Sequence, residues 1–282
     1  MDDAPPPVVV RRPEAPAVPL VFDSPHSGNV YPAGFETLLP MARMRRAEDA
    51  FVDELFGAAP QFGATLVAAT FPRLYLDPNR APDDFDPNEA TGDFSAPLHP
   101  TKKAAAGKGI VWTRLHGLAS LYNEPLSATE VQHRIETCWR PYHSAVKDAL
   151  DAAYEAHGAV YHVDCHSMRA RGNPTDEDGE NDRPDFVISD GEGATSGPEF
   201  LHMIHDHLTG RGYNASINDP YKGADLIHRY SNPASARHSI QIEINRRLYM
   251  DEAVVEKISA FEAFRDEMTG LIETLATGIE II

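Results

Sequence analysis

The sequence predicts an α/β protein, a three-layer α/β/α sandwich built around a central mixed, largely parallel sheet. Two observations favour this class. Short apolar segments rich in β-branched residues alternate with longer segments of helical period, which is the pattern of strands interleaved with helices. The chain has 282 residues, 42% of them hydrophobic and 24% charged, so it can bury a large core and has an ordinary globular composition.

Seven strands and four helices follow from these patterns. Short apolar runs predict strands at 20–24, 65–69, 110–113, 160–165, 186–189, 214–217 and 240–244. Helical periodicity predicts helices at roughly 43–60, 127–157, 197–211 and 251–277. Ser127 and Glu130 form a capping-box pattern at the start of the second helix, and Gly158 marks its end.

The domain organisation is simple. Residues 1–19 hold much of the proline and are expected to form a surface-draped or disordered leader, and residues 20–282 a single domain. Two long segments, 81–108 and 169–184, lack helical or strand period and are rich in loop-forming residues. Loops of this length inside compact domains are often functional lids.

The charge balance excludes several classes of partner. The chain carries 25 Lys and Arg against 43 Asp and Glu, a formal net charge of −18. Such a field repels phosphate backbones and anionic lipids, so neither nucleic acid nor a membrane surface is an expected partner. No stretch is apolar enough for a membrane span, and the start lacks the features of a signal peptide. With two cysteines and no disulfide framework, a cytoplasmic location is expected.

Histidines and an aspartate follow two predicted strands at the ends where α/β sheets bind ligands. His26 comes just after strand 20–24. It could serve as a metal ligand or a general base, or it could be a loop histidine that hydrogen-bonds to a backbone group. The two-residue period of a strand puts His162, Asp164 and His166 on one face of the strand predicted at 160–165 and its continuation. They form either a metal site or a hydrogen-bonded core network. His166, at the tip, is the better ligand, His162 is the deeper and more structural residue, and Asp164 could orient His166.

Acidic residues could complete such a site. Glu243 lies inside the last predicted strand, where it suits a base that deprotonates water near a metal. It could equally form a buried ion pair with Arg237, Arg246 or Arg247. Asp49 and Asp53 are four residues apart, which is typical of a solvated helix face. A zinc site with two histidines would still favour a third, anionic ligand from this segment.

A tight turn with two arginines follows strand 65–69. Arg73, Asp77, Asn79 and Arg80 surround this Asp-Pro-Asn turn. Arginine forks bind carboxylates in bidentate fashion, so the segment suits a substrate-carboxylate clamp. An Arg–Asp pair that pins the loop explains Arg73 equally well, whereas Arg80 lies at the edge of the long loop.

Other catalytic motifs are missing from the sequence. There is no P-loop, no GxGxxG and no GxSxG nucleophile elbow. Hydrolysis by Ser167 with a neighbouring histidine and aspartate remains open, although no elbow marks it.

Taken together, these residues resemble the N-formylglutamate amidohydrolase family. Six blocks match in order between residue 20 and about 252, so the resemblance spans nearly the whole chain and is specific as a set. The blocks are Asp23–Gly28 with Tyr31-Pro32, Glu48–Leu55, Arg73–Arg80, Asp164–Met168, Asn218–Gly223 and Arg237–Met250.

The resemblance implies a zinc-exopeptidase-like fold and a metal-dependent amidohydrolase. It implies one Zn²⁺ per chain, or another divalent metal such as iron, cobalt or manganese. The His-x-x-Glu ligand motif of carboxypeptidase-like enzymes is absent after His26, so the third ligand must come from elsewhere. We expect the ligands to be His26, Asp49 and His166, with Glu48 in reserve. Glu243 is then the catalytic base, and Asp164 orients His166.

The implied substrate is a small anionic N-acyl amino acid. The named reaction converts N-formyl-L-glutamate to L-glutamate and formate, and it would place the chain in histidine catabolism. Alternatives are a zinc carboxypeptidase, an N-acetyl or N-succinyl amino-acid deacylase, and a non-enzymatic anion-binding module. Five residues are expected to contact the substrate: Arg73, Asn79, Arg80, Arg246 and Tyr249.

Overall fold

A computed structural model of the chain describes residues 5–115, 119–174 and 178–279. In this part of the chain a seven-stranded sheet, accompanied by three two-stranded ones, lies between helices. The strands are β1 (Val8–Arg11), β2 (Leu20–Ser24), β3 (Thr65–Ala69), β4 (Ala90–Thr91), β5 (Arg114–Leu115), β6 (Ala119–Ser120), β7 (Leu126–Ser127), β8 (Val160–Met168), β9 (Phe186–Ser189), β10 (Ala215–Ile217), β11 (Arg237–Asn245), β12 (Met250–Asp251) and β13 (Glu256–Lys257).

The helices alternate with the strands of the main sheet. They are α1 (Met41–Met44), α2 (Val52–Leu55), α3 (Lys102–Ala105), α4 (Ala128–Arg134), α5 (Arg140–His157), α6 (Pro198–Gly210), α7 (Asp225–Tyr230) and α8 (Phe261–Gly278). A π-helical turn, Ile135–Trp139, joins α4 to α5, so the predicted helix at 127–157 is continuous. Ser127 caps it by accepting from the Glu130 amide, and Gly158 ends it with φ 76°.

The main sheet is mixed, in the order β1-β3-β2-β8-β11-β9-β10. The four central strands β3, β2, β8 and β11 run parallel, β10 runs parallel to β9, and β1 and β9 run antiparallel to their inner neighbours. The carboxyl ends of four adjacent strands therefore meet at one edge. The predicted α/β class with a mixed, largely parallel sheet is confirmed.

Helices cover both faces of this sheet. Apolar side chains such as Phe22, Val163 and Ile242 point to one face and pack against α2, α6 and α8. The other face packs against α4, α5 and α7, and it also carries the polar residues of β8 and β11. Within the described residues, no helix combines the length and apolarity needed to cross a bilayer.

Several predicted elements differ from the structure. The helix expected at 43–60 breaks into short pieces because Glu48 is extended, with ψ 149°, and Phe51 adopts a left-handed φ of 68°. Residues 110–113 form no named strand, since Ile110 donates to Asp84 and accepts from Asp77 rather than joining the sheet. The last helix begins at Phe261, ten residues later than expected. Inside the predicted leader, β1 forms an edge strand on β3.

Candidate active site

The predicted polar residues meet at the carboxyl edge of the central strands. In the parallel register, Asp23 of β2 lies opposite Asp164 of β8, and His166 lies opposite Glu243 of β11. His26 follows β2 two residues after its end. Adjacent parallel strands thus bring residues 140 and more positions apart into one cluster.

His26, Asp49 and His166 place three ligand-competent atoms close together. Nδ1 of His26 lies 3.1 Å from Nδ1 of His166, and the Asp49 Oδ2 atom lies 3.3 and 3.0 Å from these two nitrogens. All three side chains are buried. Ligands bonded at about 2.0–2.1 Å to a tetrahedral ion are about 3.3 Å apart, so this spacing fits a metal. The group could bind a metal ion.

The other ring nitrogens face carboxylates that would orient the two imidazoles. His26 Nε2 donates to Asp77 Oδ1 at 2.6 Å, and His166 Nε2 lies 2.8 Å from Asp164 Oδ1. These charges favour protons on Nε2, so that each Nδ1 offers a lone pair to a bound cation or, without one, can carry a proton towards Asp49. Two lone pairs and a carboxylate converging on one point repel each other unless a cation or a proton lies between them.

Asp49 reaches the cluster because Glu48, the residue before it, is extended with ψ 149° and ends the helical turn there. The Asp49 amide donates to the His26 carbonyl at 2.9 Å, which ties the segment to the end of β2. Arg246 donates to Asp49 Oδ1 at 2.9 Å, and Arg73 lies 3.6 Å from the same oxygen. Glu48, the reserve ligand, lies outside the cluster and accepts from the Tyr31 hydroxyl at 2.7 Å.

The pKa values in the cluster are strongly perturbed. Burial acts to raise the pKa of Asp49, but hydrogen bonds from His166 and His26 and the charge of Arg73 hold it well below the usual value. Burial acts to lower the pKa of His166, yet the charge of Asp164 raises it well above the usual value. Such opposed shifts are typical of functional sites.

Glu243 lies beside His166 and is partly exposed, unlike the cluster itself. Its Oε1 accepts from the side-chain Nε2 of Gln241 at 3.1 Å. Burial raises the pKa of Glu243, the charge of His166 opposes this, and the charge of Asp49 adds to it. A carboxylate with a raised pKa next to the cluster is suited to accept and return a proton.

The residues predicted for substrate binding fall into two groups. Arg73 and Arg80 are partly exposed, whereas Asn79, Arg246 and Tyr249 are buried. Asn79 donates to Asp164 Oδ2 at 3.0 Å and accepts from the Leu226 amide at 2.9 Å.

Arg246 is committed to the protein interior. Besides Asp49, its guanidinium donates to the Ser167 hydroxyl and to the carbonyls of Arg46 and Glu48. The ring of Tyr249 lies 6.1 Å from that of Phe264 inside the core. Substrate binding by these two residues stays a prediction, and their contacts favour a supporting role.

One site residue, Asp77, has a role that the sequence pattern does not predict. The sequence predicts Asp77 only as a partner for Arg73, which does donate to it at 3.1 Å. Its second role, as the acceptor for His26, depends on a contact across 51 residues. The tight Asp-Pro-Asn turn is the only signal in the sequence: the Asn79 backbone amide donates to Asp77 Oδ1 at 3.0 Å, and the turn thereby fixes the carboxylate. Trp112 also donates to Asp77, at 3.1 Å.

His162 belongs to the structural network that the sequence left open. Its ring lies between Asp23 Oδ1, at 2.8 Å, and the Ser239 hydroxyl, at 2.6 Å. Tyr142 donates to the other oxygen of Asp23. The buried network leaves His162 outside the cluster of ligand atoms.

Comparisons with known proteins show the family of the chain and its fold. A model of the N-formylglutamate amidohydrolase family matches residues 18–250. The chain is 30% identical to an N-formylglutamate deformylase of Pseudomonas putida over 83% of each chain, and 28% identical to one of Pseudomonas aeruginosa over 92% of each. A crystal structure of an N-formylglutamate amidohydrolase from Ralstonia eutropha JMP134 is 40% identical, with a TM-score of 0.92 over 97% of this chain and 98% of that one. A gene product of Agrobacterium tumefaciens, 18% identical with a TM-score of 0.70 over 98% and 97%, shares the fold.

Proposed function

Because the chain belongs to the N-formylglutamate amidohydrolase family, we propose that it hydrolyses N-formyl-L-glutamate to L-glutamate and formate. The observation that carries the proposal is the convergence of His26, Asp49 and His166 beside the partly exposed Glu243. The similar proteins named for this reaction span most of the chain. Neither the exopeptidase nor the binding-module alternative is favoured by them.

The proposed cofactor is one Zn²⁺ per chain, held by His26, Asp49 and His166. When bound, such an ion supplies a Lewis acid that polarises a carbonyl and lowers the pKa of a water molecule. Imidazole and carboxylate donors suit zinc, and they would also accept iron, cobalt or manganese. A place in histidine catabolism and a cytoplasmic location stay predictions.

Glu243 is the proposed general base and acid. Its carboxylate accepts a proton from the attacking water and then delivers that proton to the nitrogen of the leaving amine. The raised pKa brings the carboxyl closer to the pH at which both transfers are efficient. Its partial exposure leaves the carboxylate accessible to a bound substrate.

Asp77 and Asp164 are the proposed positioning residues for the two imidazoles. Each carboxylate lies against an Nε2 atom and fixes both the ring orientation and the tautomer. Asn79 holds Asp164, and Arg73 holds Asp77, so a buried polar network supports the ligands. The proposed contacts to substrate carboxylates come from the partly exposed Arg80 and Arg73.

The test is formate release from purified zinc-loaded protein. N-formyl-L-glutamate should be the best substrate among a set that includes N-acetyl-L-glutamate, N-succinyl-L-glutamate and hippuryl peptides. His166→Ala should lose both metal and activity, while His205→Ala, at a partly exposed histidine in α6, should keep both. A preference for N-succinyl-L-glutamate or for peptides would overturn the proposed substrate. Full activity in metal-free protein would overturn the proposed metal dependence of the reaction.

A further inference from the structure

Three side chains of one helix donate to the backbone beneath the site. The helix is the continuous one formed by α4, the π-helical turn and α5, and it contacts the segment 75–80, which includes the tight Asp-Pro-Asn turn. The three contacts are Arg134 with the Tyr75 carbonyl at 3.1 Å, His143 Nε2 with the Pro78 carbonyl at 2.8 Å and Trp139 Nε1 with the Arg80 carbonyl at 2.9 Å. All three donor side chains are buried, so loss of a donor would leave its carbonyl without a partner away from water.

The π-helical turn Ile135–Trp139 brings these donors to one side of the helix. Arg134 and Trp139 are five residues apart, and in a regular α-helix they would lie about 140° apart around the axis. A π turn closes i→i+5 hydrogen bonds instead, so it brings residues five apart onto the same side. Pro141 gives a reason for this turn, because it has no amide hydrogen and would crowd the carbonyl four residues earlier in an α-helix.

The 75–80 segment carries side chains that support the two imidazoles of the site. Asp77 accepts from His26 Nε2 at 2.6 Å, and Asn79 donates to Asp164 Oδ2 at 3.0 Å. Pro78 joins these two residues, and its carbonyl is one of those held by the helix. A displacement of this carbonyl would therefore move the supports of both imidazoles at once.

The surroundings of His143 fix its tautomer and its orientation. Burial lowers the pKa of His143 to about 4, so the ring is neutral near pH 7 and carries one proton. Because the Pro78 carbonyl can only accept, that proton lies on Nε2. Nδ1 lies 2.8 Å from the Tyr230 hydroxyl, and the Trp139 ring stacks on the imidazole with 3.8 Å between centroids. His143 is thus held as a donor aimed at the segment.

We infer that His143 and Trp139 are positioning residues of the active site, which act through the backbone of the 75–80 segment. His143 holds the Pro78 carbonyl and thereby the supports of both imidazoles. Trp139 holds the carbonyl of Arg80, the arginine proposed for a substrate carboxylate. A misplacement of about 1 Å at an active site can cost on the order of 10²-fold in rate, so these contacts affect the chemistry as well as the stability. This inference deepens the proposed function and rests on it.

The first experiment compares two replacements of His143. His143→Leu removes the donor, whereas the side-chain amide in His143→Gln can still donate to the Pro78 carbonyl. We expect His143→Leu to raise the zinc Kd and to lower kcat/KM for N-formyl-L-glutamate, each by roughly 10- to 100-fold, because both imidazoles lose their orientation. His143→Gln should recover most of both losses.

The matched control is Leu150→Ala, a change at a buried core residue further along α5. The cavity should lower the unfolding midpoint without altering the zinc Kd or kcat/KM. It therefore separates a loss of stability in this helix from a displacement of the 75–80 segment.

A second variant tests the other contact and keeps the inference falsifiable if His143→Leu does not fold. Trp139→Phe removes the donor to the Arg80 carbonyl but keeps an aromatic ring over His143. Loss of one hydrogen bond that holds this arginine predicts a rise of about 2- to 10-fold in KM, with little change in kcat or in the zinc Kd. A merely structural tryptophan would lower the unfolding midpoint and leave KM unchanged.

Zinc binding, measured by competition with a chromophoric chelator, distinguishes failure of this inference from failure of the proposed function. No turnover in the wild type, with zinc binding at least roughly tenfold weaker in His143→Leu, would overturn the proposed reaction and support the positioning role. Wild-type zinc Kd and kcat/KM in folded His143→Leu, or a wild-type KM in Trp139→Phe, would overturn the positioning role of that residue. Absence of zinc binding in the wild type would overturn both.

Discussion

Replacing Asp77 by Asn removes the charge that faces His26 and Arg73 while keeping the shape of the side chain. Asp77 is fully buried and accepts four hydrogen bonds. Oδ1 accepts from His26 at 2.6 Å and from the Asn79 amide at 3.0 Å, and Oδ2 accepts from Arg73 and Trp112 at 3.1 Å each. Whichever way the new amide points, its NH₂ group must face two donors.

The expected cost follows from these contacts. One hydrogen bond from a charged group is lost, worth roughly 1.5–3 kcal/mol, and a buried donor left without a partner costs about 1–3 kcal/mol more. Asp49 still lies 3.6 Å from Arg73 and offsets part of the uncompensated charge. We expect Asp77→Asn to lower the free energy of unfolding of the metal-free protein by about 3 kcal/mol. Zinc affinity should fall about 10- to 100-fold, because His26 loses its orienting acceptor.

The assays are urea unfolding of metal-free protein and zinc competition against a chromophoric chelator. The matched control is Asp83→Asn, which alters the exposed pair of Asp83 with His99 and should change stability by less than about 0.5 kcal/mol. A stability change below about 1 kcal/mol in Asp77→Asn, together with an unaltered zinc Kd, would refute the reasoning.

Three further predictions concern other parts of the site and its support. Glu243→Gln should retain zinc but lower kcat on the order of 10²- to 10⁴-fold, measured by formate release; near-normal turnover would remove Glu243 from its proposed role. Burial lowers the pKa of His143 to about 4, so its neutral ring stabilises the fold fully above about pH 6.5 and progressively less towards pH 4. The difference in the free energy of unfolding between the wild type and His143→Gln should therefore shrink by roughly 2 kcal/mol between pH 7 and 4.5. A difference that stays constant with pH would contradict this. Gly28→Ala should destabilise the loop after His26, because its Cβ would lie 2.3 Å from the Phe71 carbonyl oxygen. The control is Gly210→Ala in α6, whose Cβ would meet no atom within 4 Å. Equal unfolding midpoints of the two variants would count against the clash.

The sheet could be predicted well because burial leaves a local signature. The strands at 20–24, 65–69 and 186–189 have the expected bounds, since each is a short apolar run buried along its whole length or nearly so. The run at 110–113 is equally apolar and equally buried, yet it forms no named strand. Its backbone partners are loop residues, and nothing in a local pattern shows where those partners will lie.

The same difference between local pattern and distant contact applies to the site residues. Period two placed His166 and Glu243 on the faces they occupy, and strand order then made them neighbours. Asp49 was expected on a helix face, but it lies between two helical pieces, and its amide donates to the His26 carbonyl. The left-handed Phe51 that breaks this helix is a non-glycine residue with positive φ, which sequence gives little reason to expect.

By itself the sequence determined the fold class, the strand ends that carry chemistry and the residue types suited to a metal. These depend on hydrophobic period and on the polar residues that interrupt it. Only the tertiary structure decided which carboxylate faces which imidazole and which arginine pairs with which carboxylate. Those outcomes depend on contacts between distant segments, such as Asp77 with His26 or Asn79 with Asp164, and burial then sets their energies because unpaired charges are costly away from water.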